Sequence, residues 1–100
     1  MDIQITREDG RTTVKLIGRM DTPAAQEIAP EMDALKQDAA GTIVLDCQEL
    51  SYISSSGLRL FLVLRKEVAE KGGSVILRNI SDNLRNVFMM TGFLNLFEIQ

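Results

Sequence analysis

Three consecutive serines, Ser54, Ser55 and Ser56, lie between an apolar segment and a strongly helical one. The start of a helix offers unpaired N–H groups and the positive end of the helix dipole, and both favour an oxygen or a phosphate. One serine is enough to cap a helix, because a single side-chain oxygen accepts the bond from an early helical N–H. The two further hydroxyls favour a phosphorylation site over a simple cap, and Gly57 after them leaves the approach to them open.

Hydrolysis by a serine nucleophile is the alternative chemistry, and the chain lacks the residues for it. There is no histidine to act as a base, no lysine lies near the serines in sequence, and their surroundings are not a G-x-S-x-G elbow. Cys47 is the only cysteine, so neither an internal disulfide nor a thiolate zinc site is possible, and we expect it to be buried as a small apolar residue. The sequence therefore predicts a protein that is not an enzyme and has no metal or cofactor.

Charge and apolar content limit the partners and the location. The 14 acidic and 11 basic residues leave a net charge of −3, whereas nucleic-acid binding needs clustered Lys and Arg. Residues 1–6 contain neither the basic nor the apolar region of a signal peptide, and the longest apolar stretch, Leu60 to Leu64, is far too short to cross a bilayer. We expect a cytoplasmic protein of one domain, residues 1–100, that binds no nucleic acid and does not insert into a membrane.

The N-terminal segment predicts an antiparallel hairpin. Ile3 and Ile5 alternate with polar residues, which indicates a strand. Asp9-Gly10 signals a tight turn, and a second strand follows around Val14 and ends at Gly18.

A first helix is predicted next, with Thr22 as its N-cap and Pro23 as its first helical residue. Pro30 lies inside this helix and should kink it, since proline removes one backbone bond. Gly41 is the expected stop. One apolar stripe at helical spacing runs through the segment and consists of Ala25, Ile28, Met32, Leu35 and Ala39.

Strands and helices alternate over the rest of the chain. The order ββαβαβαβ predicts an α/β domain with a mixed, mostly parallel sheet that begins with the antiparallel hairpin. We expect Met89 and Met90 to fill the core or lie beside it. The predicted elements are a buried strand at Ile43–Leu45 that ends at Asp46-Cys47, a helix from about Ser56 to Lys71, a strand at Val75–Leu77, a helix from the cap Ser81 to Gly92, and a strand at Leu96–Ile99.

The segment from Ile43 to Leu58 resembles the signature of the STAS domain, a family that includes bacterial anti-sigma-factor antagonists. Gly18-Arg19-Met20-Asp21 is similar to the family's element before the first helix, and Gly72-Gly73 and Thr91-Gly92-Phe93 also match. The resemblance extends over nearly the whole chain and implies a STAS-like fold.

In the antagonists of that family the phosphorylated serine follows an aspartate, so the resemblance assigns the phosphoacceptor role to Ser55 and makes Ser56 the second hydroxyl. Ser54 stands where the aspartate would be, which removes a negative charge beside the acceptor. Ser54 and Ser56 are the alternative acceptors. The resemblance also implies the partners: an anti-sigma factor that is a serine kinase, and a phosphatase that resets the protein.

A helical wheel of the second helix places Leu60 and Phe61 on its inward face and Arg59 and Lys66 on its outward face. Val63 falls on the polar side, and Leu62 lies at its edge, where it either packs under the third helix or joins a partner surface. The resemblance places Asp21 near the serine loop, where it is either part of the partner surface or a turn residue. The expected partner-binding residues are Asp21, Ser54, Ser56, Gly57, Arg59, Leu62, Val63 and Lys66.

Two functions follow from the resemblance. The first is an anti-sigma-factor antagonist that binds the kinase when unphosphorylated and is switched off by phosphorylation at the start of the second helix. The alternative is an accessory subunit of a transport or signalling assembly, in which the same surface docks permanently and no phosphorylation occurs. The accessory-subunit function is supported by Ser54, which stands where the antagonists have an aspartate.

Overall fold

The predicted N-terminal hairpin is confirmed, and its second strand is longer than expected. The structure, a computed structural model, describes all 100 residues. Strand β1 (Asp2–Glu8) pairs antiparallel with β2 (Arg11–Met20), and the turn between them uses positive φ angles of 43° at Asp9 and 78° at Gly10. Such turns match the twist of the flanking strands. The expectation that Gly18 ends the second strand is wrong, because the strand passes through Gly18 with φ 112°.

Strands and helices alternate after the hairpin, as the order ββαβαβαβ predicts. The sheet has the spatial order β1-β2-β3-β4-β5, and every pairing except β1–β2 is parallel. The predicted fold class is therefore confirmed. The further elements are α1 (Thr22–Ala34), a 3₁₀ turn (Leu35–Asp38), β3 (Thr42–Ile53), α2 (Ser55–Lys71), β4 (Ser74–Arg78), α3 (Asp82–Met90), a second 3₁₀ turn (Leu94–Leu96) and β5 (Glu98–Ile99).

All three helices pack on one face of the sheet. Each parallel connection steps in the same direction along the sheet, and right-handed crossovers then place every helix on the same side. One buried cluster joins alternate residues of the central strands, such as Leu16 and Leu45, to the helices. The rings of Phe61 in α2 and Phe88 in α3 lie 6.2 Å apart, and both contact Phe97. This packing joins α2 to α3 and to the segment before β5.

Several boundaries differ from the sequence expectation. Helix α1 ends at Ala34 and continues as the 3₁₀ turn, yet Leu35 and Ala39 remain fully buried, so the apolar stripe keeps its phase. Strand β3 was expected to end at Asp46-Cys47 and instead runs to Ile53. The last strand is only two residues long, because residues 94–96 form a 3₁₀ turn.

The expectation that Met89 and Met90 fill the core or lie beside it is wrong. Met89 is 55% exposed and Met90 is 87% exposed. The buried side of α3 is set by Leu84 and Phe88, which are one helical turn apart, and the two residues that follow Phe88 rotate away from the sheet. None of the helices combines the length and apolarity that crossing a bilayer requires.

Candidate functional site

An extension of β3 beyond its partner β4 carries the serine loop. Strand β4 pairs with β3 only as far as Asp46, whereas β2 pairs with it up to Ile53, opposite Met20. Two register shifts accompany the extension, so six residues of β2, from Lys15 to Met20, are matched by eight of β3, from Asp46 to Ile53. Such bulges bend a strand and redirect the chain that follows. Strands β2 and β3 therefore end side by side, and α1 and α2 begin next to each other.

Each of these two helices is capped by the residue that follows its strand. Asp21 Oδ1 accepts a 2.9 Å hydrogen bond from the Ala24 N–H, and Ser54 Oγ accepts a 3.2 Å bond from the Gly57 N–H. The Ser54 N–H donates to the Met20 carbonyl at 2.8 Å, which ties the two helix starts together. The expectation that Thr22 is the cap is wrong: Thr22 is already helical, and Asp21 is an equally favoured cap residue one position earlier.

The three serines have different environments. Ser54 is only 8% exposed, and its hydroxyl is committed to the cap. Ser55 is the first residue of α2, is exposed, and has a side-chain oxygen without a hydrogen bond in the protein. Ser56 is half-buried. Among the three candidate phosphoacceptors, Ser55 is therefore the most exposed, and its hydroxyl is free.

Gly57 faces the protein interior rather than the approach to the serines, which differs from the expectation. A Cβ at Gly57 would lie 2.6 Å from Met20 Sδ and 2.8 Å from Ile53 Cγ1. The missing side chain lets the first turn of α2 pack directly on the ends of β2 and β3. Gly57 is buried, so it supports the loop from beneath and offers no side chain to a partner.

The outward face of α2 beyond the loop is cationic with an apolar centre. Arg59 and Lys66 are exposed, and between them Val63 is 47% exposed. Leu62 is half-buried against the core. Leu60, expected on the inward face, is only half-buried; it lines a groove between α1 and α2 together with Val63.

An arginine–aromatic pair beside the loop is a feature that sequence reasoning missed. The Arg19 guanidinium lies 4.5 Å from the centroid of the Tyr52 ring, which is 41% exposed. The two residues are opposite each other in the β2–β3 register, just after the second register shift. Nothing in the sequence pairs them, because their proximity depends on an extra residue in β3. Cation–π contacts of this kind contribute about 0.5–1 kcal/mol at exposed sites.

A second feature that the sequence did not reveal is a set of polar contacts around Asp46, where the pairing of β3 with β4 ends. We call the contacts of Asp46 with Gln48, Asn79 and Arg78 the clamp. Asp46 Oδ1 accepts hydrogen bonds from the Gln48 N–H at 3.1 Å and from Asn79 Nδ2 at 3.2 Å, and Arg78 Nη2 lies 3.6 Å from Asp46 Oδ2. Burial alone would raise the pKa of Asp46, but these bonds and the Arg78 charge outweigh it and hold the pKa below its usual range. The clamp fixes the first bulge of β3 and hence the course of the strand toward the serines.

The comparison with known protein families decides the family. The family model of the STAS domain matches residues 2–100. The chain belongs to the STAS domain family. The resemblance predicted from the serine loop and its flanking motifs is therefore confirmed.

Relatives of this STAS domain are named as anti-sigma-factor antagonists. BtrV of Bordetella bronchiseptica, named a putative anti-sigma factor antagonist, is 30% identical over 99 residues, which cover 99% of this chain and 85% of BtrV. The anti-sigma-B factor antagonist of Staphylococcus aureus is 25% identical over 99% of this chain and 92% of its own length. The antagonist type predicted from the sequence is thus confirmed at the level of the family.

Solved structures agree with this assignment. The Bacillus anti-sigma factor antagonist SpoIIAA matches with a TM-score of 0.76 in its unphosphorylated form and 0.75 in its phosphorylated form. The sequence identities are 25% and 26%; each match covers 99% of this chain, and 87% and 91% of the respective SpoIIAA chain. SpoIIAA therefore has a fold similar to this STAS domain in both of its forms.

The Asp46→Asn variant of this STAS domain should be less stable at neutral pH by about 1 kcal/mol, because hydrogen bonds to a charged acceptor lose strength when the charge is removed. The folded-state pKa of Asp46 is lowered, so the carboxylate stabilises the fold above its unfolded-state pKa, and this stabilisation is lost as the pH falls through the folded-state value. Urea unfolding at a series of pH values measures both effects.

The difference between wild type and Asp46→Asn should shrink as the pH falls through the lowered folded-state pKa of Asp46, where the wild-type carboxylate also becomes protonated. Glu31→Gln is the matched control, since Glu31 is exposed and makes no ion pair, and its effect on stability at neutral pH should stay within about 0.5 kcal/mol. A difference at Asp46 that is independent of pH would contradict the clamp.

Cys47 follows the clamp and takes no part in chemistry at the site. Its side chain is 1% exposed, and burial, together with the neighbouring Asp46 charge, raises the pKa of its thiol to about 12. The thiolate is the reactive form of cysteine, so Cys47 stays unreactive at neutral pH. The expectation of a buried, small apolar residue is confirmed.

Proposed function

We propose that this STAS domain is an anti-sigma-factor antagonist that binds an anti-sigma serine kinase while Ser55 is unmodified and is released when Ser55 is phosphorylated. The observation that supports it best is the contrast between the serines: Ser55 is exposed with a free hydroxyl, whereas Ser54 is buried as the cap. The names of the relatives support the role as antagonist, and the phosphorylated form of SpoIIAA supports the modification.

The chemistry belongs to the partners. The kinase transfers the γ-phosphoryl group of ATP to Ser55 Oγ, the hydroxyl proton passes to a base of the kinase, and ADP leaves. A separate phosphatase hydrolyses the phosphoserine and restores the hydroxyl. This STAS domain contributes the exposed acceptor and no catalytic group. A kinase that uses ATP and controls a sigma factor is a cytoplasmic partner, so the function is proposed for that compartment.

The departure from the family pattern at Ser54 is compatible with this proposal. Serine and aspartate are about equally good N-cap residues, so the start of α2 keeps its geometry with Ser54 in this position. The change removes one negative charge beside the acceptor. We therefore propose the same acceptor position, Ser55, and a kinase that does not require the charge.

Phosphorylation changes the surface more than the fold. The phosphate adds about −1.5 to −2 charges at pH 7, which takes the net charge from −3 to about −5. At the first residue of α2 the helix dipole tolerates this charge. A partner that fits a neutral hydroxyl would meet a bulky dianion, and burial of an unpaired charge costs several kcal/mol. That cost is sufficient to dissociate a micromolar to nanomolar complex.

The proposed contact surface lies on the loop and the outward face of α2. Arg59, Val63 and Lys66 are exposed side chains on that face, and Leu62 is half-buried at its edge. Ser56 and Asp21 lie at the two adjacent helix starts, where a partner that covers Ser55 would also contact them. Ser54 and Gly57 are buried and support this surface through the backbone.

The test uses Ser55→Ala as bait in extracts of the native cells supplied with ATP. This variant cannot be modified, so it should retain a protein with a serine-kinase ATP site, which mass spectrometry identifies. The purified kinase and ATP should then phosphorylate wild type on Ser55 and leave Ser55→Ala unmodified. A stable complex that forms with wild type, ignores ATP and leaves Ser55 unmodified would contradict the proposal and support the accessory-subunit function instead.

A further inference from the structure

Arg59 is an exposed cation without a partner, and it follows the proposed phosphoacceptor by one helical turn. Its guanidinium makes no hydrogen bond, ion pair or contact with an aromatic ring. Most of the other basic side chains are engaged. Those with a partner are Arg7, Lys15, Lys36, Lys71 and Arg78 with carboxylates, Arg19 with the Tyr52 ring, and Arg65 with the Leu96 carbonyl.

The spacing of Ser55 and Arg59 places them on the same face of α2. They are four residues apart in a continuous helix, so their Cβ atoms are separated by about 6 Å. An acidic group N-terminal to a basic group at this spacing is the favoured orientation for a helical ion pair. A phosphate has three acceptor oxygens and a guanidinium has a planar fork of donors, so the two can form a bidentate pair.

No carboxylate of the helix competes for Arg59. The residues three and four positions away on either side are Ser55, Ser56, Leu62 and Val63, which are hydroxyl or apolar. The whole segment 55–66 contains no Asp or Glu, although the chain as a whole has a net charge of −3. A phosphate on Ser55 would therefore be the first anion within reach of Arg59 along the helix.

The geometry points to Arg59 as the side chain that binds the phosphate on Ser55 within the same helix. This inference rests on the proposed function only for the presence of the phosphate. Its consequence is that phosphorylation adds an anion and also removes a free cation from the contact surface. The positive charge of Arg59 is then paired with a phosphate of about −1.5 to −2.

The test is a phosphorus NMR titration of the full chain with phosphoserine placed at position 55 by genetic incorporation. The second pKa of a free phosphoserine is about 6. Pairing with a guanidinium favours the dianion, so the pKa should rise by about half a pH unit in Arg59→Gln relative to the wild-type phosphoprotein. Circular dichroism confirms that each phosphoprotein is folded before titration.

Lys66→Gln is the matched control, because it removes the same charge from the same helix face. Lys66 is eleven residues from Ser55, about 16 Å along the helix, which is beyond the screening length at physiological salt. The phosphate pKa of the Lys66→Gln phosphoprotein should equal that of the wild-type phosphoprotein. Equal pKa values in Arg59→Gln and wild type, or equal shifts in both variants, would overturn the inference. Because the phosphoserine is incorporated without a kinase, failure of the kinase to modify Ser55 would leave this result standing and would contradict only the proposed function.

Discussion

Ser55→Asp should bind the partner kinase at least about tenfold more weakly than wild type, because it places a permanent negative charge where the complex accommodates a neutral hydroxyl. Aspartate carries less charge than phosphate, so the loss should be smaller than that caused by the modification itself. The affinity is measured by titration calorimetry with the kinase recovered on Ser55→Ala, in the absence of ATP.

Ser55→Asn is the control for this variant. Asparagine has nearly the same shape as aspartate and no charge, and Ser55 is exposed, so the fold tolerates both. Ser55→Asn and Ser55→Ala should bind about as tightly as wild type, within roughly threefold. If Asp and Asn weaken binding equally, the size of the side chain is responsible, and a charge-based switch is contradicted.

Substitutions of Gly57 should destabilise the fold. An added Cβ would meet Met20 Sδ and Ile53 Cγ1, which belong to fully or almost fully buried side chains and have little room to move. Overpacking of this kind costs about 1–3 kcal/mol, whereas alanine in a helix gains about 1 kcal/mol over glycine. Gly57→Ala should therefore destabilise by about 1 kcal/mol, and Gly57→Val by about 3 kcal/mol, as measured by urea unfolding.

Ser55, two residues before Gly57, supplies the control for this prediction. Ser55→Ala and Ser55→Val place the same side chains at an exposed position in the same helical turn, and their effects should stay within about 0.5 kcal/mol. An increase in stability on Gly57→Ala would show that ordinary helix propensity governs the position. The close packing of α2 on β2 and β3 would then not be the reason for the glycine.

Local sequence signals predicted turns and helix caps where the interaction depends mainly on one residue type. The turn at Asp9-Gly10 and the cap at Ser81 were predicted from single residues, and the structure confirms both. The serine loop was located correctly at the start of α2 because serine is a strong cap signal, and the structure identifies Ser54 as the cap. In each case the interaction is between residues close in sequence, so no knowledge of the packing is needed.

Features that depend on strand register were not predictable. The two bulges of β3 add residues that no local pattern marks, and they determine where Tyr52 meets Arg19 and where Ile53 meets Met20. Gly57 faces inward because it packs against Met20 and Ile53. The sequence does not reveal these contacts, so Gly57 was expected to leave the approach to the serines open. The family motif assigns the acceptor role to Ser55, and this assignment stays a prediction.

Reversible phosphorylation of Ser55 can be observed by intact-mass spectrometry of the protein purified from its native cells under growth and stress. We expect a fraction with one added phosphate, which fragmentation localises to Ser55 and whose size changes with conditions. Unmodified protein under every condition, or a phosphate confined to Ser54 or Ser56, would contradict it.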